Sequence, residues 1–365
     1  MEISLVYVWH LRMYNMRLKP GKAETQTMQN LLQDQVGAYR TEVQTGPAYG
    51  VDVSLIDIGQ GMGMALCSDP LSLLPELGMQ ESAWLSLQLM VNDMATTGFA
   101  PMYGQFVLNL PAEMSEEDLN RYWHHIHTYS KAIGLSITGG HTGFIPGMQS
   151  SIAGGGTLIT LAPMEQIRIS SKARAGEALL ISKSAAISSA GILALRFPNY
   201  VRQHIGKAMQ EKAAEMFYQI SVLEDARTAL GDPRTFSVTA MHDVTEGGIL
   251  GGIYEFAKAS GNGVRIQAEA IPIEPAQAAV CKLFDLDPLH CIGAGAMLFT
   301  CPEPEVAQIL HRMQVAGIPC KQIGSLCDPD QGIRVFHQDQ ALDWQAPGTD
   351  PYWAAYFKAS AQGLN

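Results

Sequence analysis

The chain has 365 residues, of which 47% are apolar and 16% charged, and its formal net charge is −11. Such a composition excludes a disordered or coiled-coil chain, and the length suits two domains at about 150 residues each. The acidic balance without any dense Lys/Arg run excludes a nucleic-acid binder, and no stretch of about 18 uncharged apolar residues suits a membrane span.

Met1 to His10 is apolar without a basic leader, and Leu11 to Lys22 carries Arg12, Arg17 and Lys19. This reads as the arm of a cytoplasmic protein, or as an upstream start, rather than as a signal peptide. Val51 to Ile58 predicts a strand and Met62 to Cys67 a second, joined by the Gly59-Gln60-Gly61 turn. Glu81 to Thr97 predicts a helix with Leu85, Leu89 and Met90 inward, and Gln105 to Leu110 a strand. Ser115 predicts an N-cap with Asp118 as an acidic near-match to a capping box, and Gly134 stops the helix that ends at Ile133. Ser136 to Thr138 and Ile152 to Leu161 predict strands around a glycine-rich loop, Gly139 to Gln149.

In the second half, Ala178 to Ile181, Phe236 to Met241, Val264 to Ile266, Gly295 to Phe299 and Cys320 to Ile323 predict strands. Tyr200 to Leu230, Gly247 to Ser260, Pro275 to Phe284 and Glu303 to Val315 predict helices. The alternation lacks the βαβ cadence of a doubly wound sheet, so an α+β layered sandwich is expected. After Asp343 the tail carries Trp344, Tyr352, Trp353, Tyr356 and Phe357, enough to pack on the body or on a neighbour.

Four acids, Asp52, Asp69, Asp93 and Asp243, lie at or beside predicted strand ends, where carboxylates can face one cleft. Hard oxygen ligands at several turns suit Mg²⁺ held partly by phosphate oxygens, although each acid alone also reads as a turn or cap residue. Asp93 is harder to dismiss, because it sits in the apolar run Val91-Asn92-Asp93-Met94, where a charge is costly unless paired. In Thr138-Gly139-Gly140-His141-Thr142-Gly143, successive N–H groups can receive a phosphate or merely join two strands. His141 suits a metal ligand, a phosphate contact, an acid–base group or a simple loop closure.

Met241-His242-Asp243-Val244-Thr245-Glu246-Gly247-Gly248 runs from strand to helix; Thr245 can cap that helix, and the glycines permit close approach. Lys183 ends a strand and can face phosphate or solvent. His124, His125 and His127 have no evident acid partner and read as packing or surface. The six cysteines form no CxxC pair and read as small buried apolar residues, with a zinc or redox role the lesser alternative. There is no Walker A, GxGxxG, HExxH or G-x-S-x-G pattern.

Five segments carry a resemblance when taken in order. They are Gly46-Pro47-Ala48-Tyr49-Gly50-Val51-Asp52, Cys67-Ser68-Asp69-Pro70, Val91-Asn92-Asp93-Met94-Ala95, Gly139-Gly140-His141-Thr142 and His242 to Gly248. Together they resemble the superfamily of aminoimidazole ribonucleotide (AIR) synthetase, thiamine-monophosphate kinase, selenophosphate synthetase and HypE, and within it the AIR synthase-related or HypE-like branch. The resemblance spans Leu18 to Gln338.

It implies a two-domain AIR-synthetase-like α+β fold, in which the N-terminal domain forms a shared β-barrel in a homodimer and the C-terminal domain is an α/β sandwich. The implied divisions are an arm and ATP-covering segment over 1–45, the two domains over 46–168 and 169–345, and an aromatic tail over 346–365. ATP is implied in an interdomain cleft, with Asp52, Asp69 and Asp93 holding Mg²⁺. Asp52, Asp69, Asn92, Gly139, Gly140, Thr142, Lys183 and Asp243 would hold the nucleotide, and Asp93, His141 and Lys22 would serve catalysis. Pro20-Gly21-Lys22 resembles the mobile segment that folds over the phosphates.

The departures are His141 where relatives carry Asp or Glu, Glu246 where the HypE motif has Arg, and Ser188 where close relatives often show Glu. The paired acids of the kinase shrink to Val51-Asp52. No cysteine follows Cys327, so HypE-type self-modification is not expected, and no N-terminal catalytic Cys or selenocysteine supports selenophosphate synthesis. The expected function is ATP- and Mg²⁺-dependent activation of an oxygen of a small substrate by phosphoryl transfer. The alternative is a non-catalytic ATP-binding maturation or assembly protein.

Overall fold

The computed structural model describes residues 21–365 other than Glu24, Gln33, Asp34, Phe236, Gln345 and Pro347. The readings of the arm before Gly21, Pro20 of its glycine segment included, and of Phe236 lie outside these residues. In the first half α1 (Thr25–Leu32) precedes β1 (Val43–Thr45), β2 (Ser54–Asp57) and β3 (Met62–Ser72). Then come α2 (Met79–Ala95), β4 (Tyr103–Pro111), α3 (Glu116–Ala132), β5 (Ser136–Ile145) and β6 (Ile152–Pro163).

Six strands form one sheet in the order β1-β2-β3-β6-β4-β5. Alternation sets its inner face: Phe106, Leu108 and Leu110 of β4 and Ala65 and Cys67 of β3 point inward, while Tyr103 and Val107 remain exposed. Leu87, Met90, Val91 and Met94 of α2 are fully buried against that inner face. Burying each such side chain contributes about 1.5–3 kcal/mol. Ser115 caps α3 as expected, its Oγ accepting from the Asp118 amide at 3.0 Å and donating to Asp118 Oδ2 at 2.8 Å.

Two expectations are corrected in this half. The sheet is open, with β1 and β5 bounding it at opposite ends, and neither sheet is closed into a barrel, so the shared β-barrel is not found. The glycine-rich segment from Gly139 is not a loop but the body of the edge strand β5, parallel to β4. Gly140 fits there because a Cβ would collide with the Phe106 carbonyl, and its φ is 148°.

The second half contains β7 (Ala178–Ser182), α4 (Ile187–Arg196), α5 (Pro198–Ile205), α6 (Lys207–Met216), α7 (Leu223–Leu230), β8 (Ala240–Asp243) and α8 (Gly248–Ser260). It continues through β9 (Gly263–Gln267), α9 (Pro275–Leu283), β10 (Met297–Cys301), α10 (Val306–Val315), β11 (Cys320–Cys327), β12 (Ile333–His337), β13 (Gln340–Ala341) and α11 (Pro351–Ala361). The sheet order is β13-β12-β9-β11-β7-β10-β8. β7 and β10 are buried at every position, because α7 and α10 cover one face and α8 the other.

Tyr200 to Leu230 is not one helix. Gly206, with φ 86°, separates α5 from α6, and a 3-10 turn over Phe217–Gln219 precedes α7. Thr245 does not cap α8. Asp350, from the aromatic tail, accepts from the Gly247 amide at 2.6 Å and from the Tyr352 amide at 2.8 Å, joining the starts of α8 and α11. The largest apolar core runs from Leu108 through Met94 to Phe299, so it spans both sheets.

Candidate functional site

The candidate site is built where the entry to β2 meets β8 and α8. Gly50 permits the approach: its φ is 75°, and a Cβ there would lie 2.5 Å from the Glu255 carbonyl. Two residues on, Asp52 Oδ2 lies 2.9 Å from His242 Nδ1. Ser170 Oγ is 3.2 Å from the same ring nitrogen and donates to the Met241 carbonyl at 3.1 Å.

The opposite ring nitrogen of His242 faces Glu255 Oε2 at 3.5 Å, an ionic contact rather than a well-formed hydrogen bond. The imidazole lies nearly parallel to Phe256, at an interplanar angle of 17°. Glu255 in turn receives Lys22, whose Nζ is 2.7 Å from Oε1 and 2.8 Å from Oε2. The Lys22 amide donates to Glu246 Oε2 at 2.6 Å.

Asp243 ends β8, is buried, and its Oδ2 has no hydrogen-bond partner among the described residues. Burial, then repulsion from Asp52, raises its carboxyl to about 7 against the pull of His242 and Lys22. Burial raises Asp69 to about 6, with Lys22 opposing and Glu246 adding. Asp93 is pushed well above the carboxylate range by burial and by Asp243, Asp69 and Asp52. Acids from both halves therefore share one field, and they are short of positive charge.

The other side of the cleft is neutralised from within. Burial would raise Glu255, but His242 and Lys22 hold it below its ordinary value. Burial would lower His242, yet Asp52 and Glu255 raise it to about 10. Lys22 behaves alike: burial opposes its charge, and Glu255, with Asp52 and Asp243 behind it, raises it.

Asp52, Asp69, Asp93, Asp243 and Lys22 are thus brought together, and the other predicted residues are placed elsewhere or otherwise engaged. Asn92 is fully buried and clamps the halves, its Nδ2 donating to the Ile220 carbonyl at 2.9 Å and its Oδ1 accepting from the Val222 amide at 2.9 Å. The Lys183 ammonium is held by Asp225 Oδ1 at 3.2 Å and by the carbonyls of Gln219 and Ser221. Gly139, Gly140, His141 and Thr142 lie on β5. Asp69, Gly156, Phe106 and Gly140 are successive cross-strand partners, so three strand spacings, about 14 Å, separate Asp69 from Gly140. His141, one residue further, is exposed.

Glu255 and His242 carry no site role in the sequence reading. The signal for Glu255 was present: it is a lone acid within the apolar helix Gly248–Ser260. Nothing in the sequence joins Gly21 to the tail, where a Cβ would lie 2.5 Å from Glu246 Oε2 and 3.0 Å from Trp353 Nε1.

Two family models match the chain: AIR synthase related protein, N-terminal domain, over residues 50–161, and its C-terminal domain over residues 174–336. A carbamoyl dehydratase HypE from Rhizobium leguminosarum bv. viciae is 28% identical over 272 residues, covering 70% of this chain and 71% of that protein. HypE of Escherichia coli K12 is 27% identical over 224 residues, which span 60% of this chain and 62% of that relative. A thiamine-monophosphate kinase from Salmonella typhimurium LT2 is 23% identical over 328 residues, 87% of this chain and 95% of the kinase. Among solved structures, E. coli HypE superposes with a TM-score of 0.68 at 22% identity, covering 89% of this chain and 98% of that one. A HypE structure in complex with ATP gives a TM-score of 0.65 at 17% identity, covering 92% of this chain and 98% of that one. Among the described residues no helix is long and apolar enough to cross a membrane.

Proposed function

Because the chain belongs to the AIR synthase related family, matched by both of its domain models, we propose that it binds ATP with Mg²⁺ in this cleft and activates an oxygen of a small substrate by phosphoryl transfer. The observation that carries this reading is the convergence of Asp52, Asp69, Asp93 and Asp243 in one field with too little positive charge. Hard carboxylate oxygens and the orphaned Asp243 Oδ2 fit a divalent cation. Among the described residues no three His, Cys, Asp or Glu side chains lie together at metal-ligand spacing, so a cation here would have to complete its shell with phosphate oxygens and water.

In this reading Asp52, Asp69 and Asp93 hold the cation, and Asp243 faces it from β8. The ion, when bound, offsets charge on the phosphate oxygens. Lys22 lies on a segment able to lay a second positive charge against the same phosphates, and Glu255 holds that lysine ionised until it does. Calorimetric titration with Mg²⁺ and ATP tests the site: the wild type binds and Asp93→Asn loses at least about tenfold in affinity. Equal binding by both proteins, or none by either, overturns it.

A second reading, an ATP-binding maturation or assembly protein without turnover, is favoured by the position of His141 on an exposed edge strand, about three strand spacings from the acids. Tight ATP binding with no product across a broad panel of small hydroxyl and carboxyl acceptors supports this reading. Product formation supports the first.

A further inference from the structure

Two of the buried groups in the cleft belong to neither the acids that await a cation nor the segment that carries Lys22. His242 and Glu255 stand between them. The contacts run in one line of alternating character: Asp52 to His242 at 2.9 Å, His242 to Glu255 at 3.5 Å, and Glu255 to Lys22 at 2.7 Å. The first three side chains are at least nine-tenths buried, and Lys22 alone opens to solvent, at 46% exposure. Phe256 lies against one face of the imidazole, so the ring has little freedom to turn away from either acid.

We propose that His242 and Glu255 are positioning residues which couple Asp52 to Lys22, so that what happens at the cation side of the cleft is felt by the segment at its mouth. The physical argument is that His242 divides its attraction between two carboxylates in a poorly solvated place. A cation that engages Asp52 weakens that acid's hold on the imidazole, which then turns more of its attraction to Glu255. Glu255 in turn holds Lys22 less tightly, and the lysine is released toward an incoming phosphate. The inference rests on the reading of Asp52 as a cation-side carboxylate, but it concerns contacts within this chain and is testable without nucleotide.

The Lys22 amide, bonded to Glu246, reports whether the segment is docked. Its hydrogen exchange is measured in a double-mutant cycle on the full chain. Asp52→Asn, which removes one acid's claim on His242, speeds exchange at Lys22 by at least about threefold in the wild-type background, within the usual range for contacting residues. In a His242→Gln background the same Asp52→Asn change alters exchange less than about twofold, because the link is cut. A merely structural role for His242 would instead leave the effect of Asp52→Asn the same in both backgrounds. If His242→Gln does not fold, Glu255→Gln takes its place, and the effect of Asp52→Asn disappears there too. The proposal is overturned if Asp52→Asn leaves Lys22 exchange unchanged in the wild type, or changes it equally in the severed background. ATP binding, measured separately by calorimetry, then still decides the nucleotide reading.

Discussion

The two sides of the cleft treat the same chemical group in opposite ways. Glu255 is buried and ionised below its ordinary range, because His242 and Lys22 surround it. Asp69, Asp93 and Asp243 are raised, because burial and then neighbouring carboxylates act on them with too little cation in reply. Where the fold supplies its own counter-charge, a buried acid stays ionised at little cost. Where it withholds one, the acids cost stability, as expected of groups that await a ligand's charge.

Substitutions on the two sides break this contrast with opposite sign. The largest effect falls on the neutralised side. Glu255→Ala leaves His242 and Lys22 without their common partner and costs about 3–5 kcal/mol in chemical unfolding. Asn92→Ala, at the clamp between the halves, strands the Ile220 carbonyl and the Val222 amide and costs about 2–4 kcal/mol by the same measurement. On the cation-poor side the sign reverses: Asp93→Asn relieves repulsion and stabilises the cation-free protein by about 1–2 kcal/mol at pH 8 while it weakens ATP binding.

The pH dependence sharpens the comparison further. A carboxyl raised in the folded state contributes stability that is complete below about pH 4, its unfolded value, and is lost as pH rises through the folded value. For Asp69 and Asp243 that loss begins above about pH 4 and is complete near pH 6 and 7. His242 acts in the same direction at higher pH, its contribution being lost as pH rises through about 10. Thermal unfolding of the cation-free protein therefore occurs at lower temperature at pH 8 than at pH 5.5, and Asp93→Asn flattens that slope. The smallest effect belongs to His141→Ala, an exposed edge-strand change expected to move stability by less than about 0.5 kcal/mol.

The fold was readable where local pattern and packing agree. The alternation of β4 and the capping of α3 by Ser115 followed from residue spacing alone. The reading failed where tertiary context overrode local preference: Gly139 to Thr142 has loop composition, yet it pairs along β4 because Gly140 alone fits against Phe106. Asp52, Asp69, Asp93 and Asp243 were singled out as a set by their places at or beside predicted strand ends, and Asp93 further because charge in an apolar run needs a reason. Their division into neutralised and cation-poor sides was not readable, since His242, Glu255 and Lys22 meet across 233 positions of sequence between Lys22 and Glu255. Lys183 illustrates the same limit, for its partner Asp225 arrives from a separate helix.

The central claim is that the raised carboxyls of Asp69, Asp93 and Asp243 are where the ligand binds. Acids that hold protons near neutrality must give them up when a cation takes their place. Titrating the protein with ATP and Mg²⁺ at pH 6 in buffers of different ionisation enthalpy counts the protons released. The account predicts release of about one proton or more in the wild type, with less in Asp93→Asn. Binding that releases no proton from the protein would contradict it.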